Sequence, residues 1–311
     1  MNDNEYLLHE YLTYADTVLN YAPSSIKRNR AVCKQWFLFL CNRNISSVTR
    51  AGTEDVLAWI EFRRTIEKVS DRTISGELSI FRTLYSFLIA FCGATDPVGS
   101  LPAFICEPPQ EKVYLTIDEV FRLLDTCDTC DPIGLRNYVM IALLWSTGLR
   151  TKEFLSLQWR DIDLDYKTLL VRKGKGRKQR QLFLNDRVLS DIIQYRSHLL
   201  VGETAPLFLK YTNRKLRKNE GCGLGRKQLT EIIRQAAIQA GITKKVTPLT
   251  LRHTFATHMY EAGVHIKDIK EMMGHGRRTE TTVYIHVTLN AAIRLLNNHV
   301  YHTTIYKEQR I

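Results

Sequence analysis

Six chain-breaking residues crowd one short interval of this 311-residue chain: Gly93, Pro97, Gly99, Pro102, Pro108 and Pro109. Proline fixes φ and lacks a backbone donor, and glycine weakens helices and strands alike, so no regular element can run through them. The interval therefore divides the chain. It predicts a segment over 1–107, a linker over 108–112 and a second segment over 113–311. The length is enough for two domains, each with a core of its own.

The two segments read differently. Upstream, apolar residues recur at helical spacing in four stretches. The first runs over 3–21 through Tyr6, Leu7, Tyr11, Tyr14, Val18 and Leu19. The second follows a turn and cap at Pro23-Ser24-Ser25 and carries Trp36, Phe37 and Leu40. Thr53-Glu54-Asp55 opens a third, with Val56, Leu57, Trp59, Ile60 and Phe62, and Ser70-Asp71 a fourth, with Leu78, Phe81, Leu84, Tyr85, Leu88 and Ile89. Downstream, Thr116-Ile117-Asp118-Glu119 is a capping signature. Leu135 to Ser146 is apolar almost throughout, as a buried helix would be, and stops at Thr147-Gly148. A short helix continues from Thr151 to Leu157. Alternation over Asp161–Leu170 reads as a strand, Gly174 and Gly176 as a hairpin turn, and Gln181–Leu184 as the return strand. Helices are expected over Asp186–Leu200 and Leu229–Ala240, with a basic loop over 210–227 between them. The fold class is mainly α with a small β-sheet, a helical N-terminal domain preceding an α+β domain.

Charge sharpens the division. The net charge is +12, yet residues 1–107 hold 11 Lys and Arg against 12 Asp and Glu, leaving 33 against 20 for the rest. All the excess positive charge lies in the second segment, which points to a polyanionic partner there. The densest run is Arg172-Lys173-Gly174-Lys175-Gly176-Arg177-Lys178-Gln179-Arg180. No secretory signal is visible, and no apolar run approaches the ~20 residues of a membrane helix. Seven scattered cysteines, an odd number, suit a reducing cytoplasm. Cys127 and Cys130 lack a second ligand pair, so no metal is expected.

The candidate chemistry lies in the stretch Thr247–Val287. It offers an arginine one turn into an amphipathic helix, Arg252, a histidine just past a glycine stop, His275, and a phenol nine residues on, Tyr284. A cation, a hydrogen-bond donor and a phenol together suit the holding and attack of a phosphodiester. Arginine neutralises the non-bridging oxygens best, because its fork bonds two at once and keeps its proton. Arg150, held rigidly after the buried helix and its Gly148 stop, is the second such cation. Leu251, Phe255 and Met259 would anchor the helix of Arg252 in the core and leave Arg252 on a neighbouring face.

Thr147-Gly148-Leu149-Arg150 with Glu153, the Gly174-Lys175-Gly176 hairpin, LRHTFATH, MGH and TTVYIHV stand in this order over residues 113–300. This set resembles the tyrosine recombinases, in particular the Xer-type enzymes and the integrases of phages and mobile elements. The resemblance implies a two-domain clamp around duplex DNA, with residues 1–107 as the core-binding domain. It implies that Tyr284 attacks the scissile phosphate to leave a 3′-phosphotyrosyl bond, that Arg150 and Arg252 clamp the phosphate, that Lys175 protonates the leaving 5′-oxygen and that His275 bonds a non-bridging oxygen. No cofactor or metal is implied, since one ester is exchanged for another. Backbone contacts are expected from Arg172, Lys173, Arg177, Lys178 and Arg180, and from Arg214, Lys215, Arg217 and Lys218. An amphipathic tail helix is expected over Leu289–Tyr301; the resemblance implies that it packs onto a neighbouring protomer, giving a homotetramer on two recombination sites with room for accessory proteins, and the alternative is that it caps its own domain.

One position departs from the pattern. Where the family's HxxR motif has histidine, this chain reads Leu249-Thr250-Leu251-Arg252. Leucine neither takes a proton nor bonds phosphate. The departure leaves three readings: an active enzyme using other groups or water, a slow enzyme that depends on a partner, and a DNA-binding relative without chemistry. A type IB topoisomerase, which shares the phosphotyrosine step, is the other enzyme class to weigh. His253 points about 100° away from Arg252 on a helix and is expected to pack locally, as are His258, His265 and His286.

Overall fold

The computed structural model describes residues 3–101, 113–172, 179–212, 215–216 and 222–274. The chain falls into two compact units, Met1–Gln110 and Glu111–Ile311.

Among its described residues the first unit has four α-helices: α1 (Asp3–Thr17), α2 (Pro23–Asn42), α3 (Thr53–Thr65) and α4 (Asp71–Cys92). Pro23 does not form a turn ahead of α2; it occupies the first helical turn, where its missing donor costs nothing. In α3 the cap lies one residue earlier than expected. Gly52 is the N-cap, and the Asp55 carboxylate accepts from its amide at 2.9 Å. Trp36, Trp59, Phe81 and Tyr85 fill the centre, with the two indoles packed edge-on at 5.6 Å. Their polar atoms are satisfied inside: Trp36 Nε1 donates to Tyr85 Oη at 3.1 Å, and Tyr85 Oη donates to the Val48 carbonyl at 3.0 Å. A buried pair, Arg63 and Glu77, closes the far side, Glu77 also accepting from Trp59 Nε1 at 3.2 Å. Tyr6, Val18, Leu57 and Ile89, apolar positions of the helical rhythm, stand exposed instead. Contrary to the reading of its sequence, α4 is long and apolar enough to cross a membrane by length and composition. Its apolar face is the core of this unit, through Ile74, Leu78, Phe81, Leu84 and Leu88.

The second unit is organised around α6 (Pro132–Thr147), which packs against α8 (Asp186–Ser197) and α10 (Pro248–Glu261). Every residue of α6 from Val139 to Thr147 is buried. Truncating one of its central leucines, Leu143 for instance, would cost about 2–5 kcal/mol. Asp131 caps its start and Gly148, at φ 58°, ends it in the left-handed region. Ahead of it lies α5 (Ile117–Asp125), opened by the expected capping box: Thr116 N donates to Glu119 Oε2 at 2.7 Å, and Glu119 N to Thr116 Oγ1 at 3.2 Å. Cys127 and Cys130 lie in the turn between α5 and α6. After Gly148 comes the short α7 (Thr151–Leu155).

The sheet has three antiparallel strands in the order β1 (Ile162–Asp163), β2 (Thr168–Val171), β3 (Arg180–Phe183). The alternation over Asp161–Leu170 is thus two strands, not one. The chain reverses at Lys167, which takes φ 52°. The register pairs Leu169 with Leu182 and Val171 with Arg180. Within 210–227, β4 (Tyr211–Thr212) and β5 (Lys215–Leu216) form a second hairpin. α9 (Arg226–Gln239) begins three residues earlier than its apolar pattern shows, and α11 (Ile266–Met272) follows α10.

Candidate active site

Arg150 and Arg252 meet at one groove of about 760 Å³ although 102 positions separate them in the chain. Arg150 is the N-cap of α7. The Glu153 carboxylate accepts from its amide at 2.9 Å and from its Nη1 at 2.8 Å, so one acid fixes both the backbone and the fork. Arg252 sits in the second turn of α10, behind Thr247 as N-cap and Pro248. Leu251, Phe255 and Met259 anchor that helix in the core as expected. Arg252 itself is more enclosed than a neighbouring face implies: only 4% of it is exposed, and its guanidinium donates to the Gly148 and Met273 carbonyls.

The third cation is Arg180. Its place in a dense basic run suggests a surface contact to a polyanion, but the structure turns it inward. Nη1 and Nη2 donate to the two Glu153 oxygens at 3.0 and 2.9 Å, and Nε donates to the Met272 carbonyl at 2.9 Å. Two guanidiniums, those of Arg150 and Arg180, therefore grip one carboxylate, and Arg252 lies near enough to feel its charge. The electrostatics follow. Burial alone would raise the Glu153 pKa, but the hydrogen bonds from Arg180 and Arg150 overcome it and hold the carboxyl at about 2. Burial, with Arg150 and Arg180 nearby, pushes the Arg252 guanidinium down to about 10. A buried cation beside other cations gains from an anion, so the cluster favours entry of a phosphate.

The groove carries more positive charge than the motif residues alone. Lys152, Arg226 and Lys270 also line it, and none of the described residues lining it is acidic. Arg226 belongs to the basic stretch 210–227 already marked in the sequence, whereas Lys152 and Lys270 escape sequence reasoning because they come from α7 and α11 and only packing unites them. Leu249 is 57% exposed and lines the same groove, at the place the motif spacing gave it. His253 lines the groove too, contrary to a purely local packing role. His258 is structural: its Nδ1 accepts from Trp145 Nε1 at 3.1 Å, and Nε2 lies 2.9 Å from the Leu115 carbonyl. His265 caps α11, its Nδ1 accepting from the Lys267 amide at 3.2 Å.

Two glycines make the close approaches possible. At Gly148 an added Cβ would run into the Phe255 ring. At Gly274, with φ 69°, it would lie 3.0 Å from Arg180 Nη1 and 3.1 Å from Arg150 Nη1. The Gly274 carbonyl accepts from Arg150 Nη2 at 2.8 Å. Of the DNA-contact candidates, Arg172 pairs with Asp161 and keeps 37% of its side chain exposed, and Lys215 lies on β5. Tyr284, His275, Lys175, Lys173, Arg177, Lys178, Arg214, Arg217, Lys218, His286 and the expected tail helix lie outside the described residues.

Comparison with known proteins gives the family and the fold of the chain. The phage integrase family matches residues 113–290, the span that holds every residue named in the groove. Tyrosine recombinase XerD of Listeria monocytogenes serotype 4b is 32% identical over 294 residues, covering 93% of this chain and 95% of its own. XerD of Staphylococcus saprophyticus is 29% identical, covering 94% and 97%. Among solved structures, the Tn1549 transposon integrase in complex with transposon right-end DNA matches with a TM-score of 0.66 at 19% identity, over 92% of this chain and 94% of that one. XerH recombinase bound to a palindromic difH substrate matches at 0.64 and 19% identity, over 90% and 80%. These two likenesses show the fold, and the sequence relatives are recombinases rather than topoisomerases. The chain belongs to the phage integrase family and is a tyrosine recombinase, a site-specific enzyme of DNA strand breakage and rejoining.

Proposed function

We propose that this enzyme cleaves duplex DNA with Tyr284 as nucleophile while Arg150 and Arg252 hold the scissile phosphate. The observation that carries the reading is the meeting of these two guanidiniums in a groove free of acids among its described lining residues. The forks are held from behind by carbonyls and, for Arg150, by Glu153. The phenolic oxygen forms a bond to phosphorus, the 5′-oxygen leaves, and the strand ends in a 3′-phosphotyrosine. A phenol with a pKa of about 10 needs nearby cations to favour its anion, and the groove supplies them. Lys175 protonates the leaving oxygen, and His275, the residue after Gly274, bonds a non-bridging oxygen. A second strand's 5′-hydroxyl then attacks the phosphotyrosine and restores the phenol, so no cofactor is required.

Double-stranded DNA carrying specific sites is the substrate. Lys152, Arg226 and Lys270 add cations for its backbone beside Arg172, Lys215 and the basic residues of 173–178 and 214–218. The N-terminal unit closes on the DNA as a core-binding domain, and four copies act on two sites in the cytoplasm, with accessory proteins where the system requires them. Leu249 favours a second reading, a slow enzyme that lacks its usual base, because an exposed leucine stands in the groove where a proton acceptor would serve.

The test uses nicked suicide substrates carrying candidate sites. The expected result is a denaturation-resistant protein–DNA adduct that Tyr284→Phe abolishes. No adduct on a site the protein demonstrably binds contradicts the proposal.

A further inference from the structure

Three consecutive carbonyls at the end of α11 each accept from a different arginine. Met272 O takes Arg180 Nε at 2.9 Å, Met273 O takes Arg252 Nη2 at 2.8 Å, and Gly274 O takes Arg150 Nη2 at 2.8 Å. A helix C-terminus leaves its last carbonyls without intrahelical partners and carries partial negative charge, so guanidiniums suit it. Two of these arginines are the proposed phosphate clamp. The third belongs to β3, the return strand of the basic hairpin, and its other two nitrogens grip both oxygens of Glu153. The same carboxylate holds Arg150. Arg180 thus ties together the base of the hairpin that carries Lys175, the start of α7 that carries Arg150, and the end of α11 that runs directly into His275. With only 14% of its side chain exposed and its three guanidinium nitrogens engaged, it is placed to hold protein rather than DNA.

We propose that Arg180 is a positioning residue for strand cleavage, acting through Glu153 and the Met272 carbonyl to keep Arg150 and the segment leading to His275 and Tyr284 in register. This rests on the proposed roles of Arg150 and Tyr284. A misplacement of about 1 Å in a catalytic constellation can cost on the order of 100-fold in rate. Losing Arg180 should therefore slow chemistry and leave DNA affinity nearly alone. A phosphate-contacting arginine would behave in the opposite way: affinity would fall, and the salt dependence of binding would flatten by about one contact.

The experiment measures single-turnover cleavage at saturating DNA, and dissociation constants over a salt series, for the full chain and its variants. Arg180→Gln should slow cleavage about 10- to 100-fold with affinity within about threefold of wild type. Arg180→Lys should fall between, because one ammonium recovers the charge but not the three directed bonds. If Arg180 acts through Glu153, the double variant Arg180→Gln/Glu153→Gln should be no slower than the slower single variant, not the product of the two. That double variant also removes the buried charge that Arg180→Gln alone leaves less well paired, so the test survives poor folding of the single variant. Unchanged cleavage in Arg180→Gln, multiplicative losses in the double variant, or loss of affinity with a flatter salt slope would each overturn the proposal. So would a cleavage loss accounted for by the unfolded fraction in thermal melts. Absence of any Tyr284-dependent adduct in the wild type would instead overturn the proposed function, and this inference with it.

Discussion

At the scale of single residues, the site is decided by which charges are buried and what faces them. Glu153 is 2% exposed and touches two guanidiniums, so its carboxylate is held at about 2, against 4.5 for the unperturbed group. A folded-state pKa below the unfolded value stabilises the fold fully above about 4.5, and that stability is lost as pH falls through the folded value. The shift is worth on the order of 3 kcal/mol. Urea unfolding at pH 3 and pH 6 should therefore show a pH-dependent loss in the wild type that is smaller in Glu153→Gln; equal losses would contradict the pairing. Leu249 poses the opposite question, an apolar side chain in a basic groove. It is more than half exposed, so Leu249→His should change stability by no more than about 0.5 kcal/mol. It should speed cleavage by about 10- to 100-fold, at or below the range typical of a general base. An unchanged cleavage rate would show that proton removal from Tyr284 does not limit the reaction.

At the scale of elements, α6, α7 and α10 meet at Gly148. Its left-handed backbone turns the chain from the buried helix to Arg150, its missing side chain admits the Phe255 ring, and its carbonyl receives Arg252. Gly148→Ala should therefore lower stability by about 1–3 kcal/mol from backbone strain alone, with the ring collision added. Denaturant unfolding reads this directly, and a loss under about 0.5 kcal/mol would contradict the packing. The helix stop and the arginine after it were legible in the sequence, because a glycine ending an apolar helix leaves a local signal. The two clamp arginines were legible for the same kind of reason, each standing in a local motif. Arg180 was visible only as one charge among many in a basic run. Its acceptor Glu153 lies 27 positions away, and no local pattern distinguishes an inward guanidinium from an outward one. The strand reading passed over the turn that Asp163 makes by accepting from the Asp165 and Tyr166 amides, ahead of Lys167 in the left-handed region. Lys152 and Lys270 stayed hidden because the groove exists only once its helices pack together, and Arg226 showed only as one charge of the basic stretch 210–227.

At the scale of the whole molecule, the charge asymmetry assigns the work. The N-terminal segment is nearly neutral and holds a buried ion pair, Arg63 with Glu77, inside its own core. The remaining excess of positive charge belongs to the unit that holds the groove. If that charge meets the DNA backbone, affinity should fall steeply with salt, by about 10³-fold or more between 50 and 200 mM for a protein with six or more phosphate contacts. A nearly flat salt series on a bound site would contradict a mostly electrostatic grip. The central claim concerns one covalent bond. Protease digestion and mass analysis of the adduct trapped on a nicked site tests it most directly. The expected species is a peptide spanning Tyr284 that carries a nucleotide joined through a 3′-phosphate to the phenolic oxygen. An adduct mapping to any other residue, or to a 5′-phosphate, would contradict it.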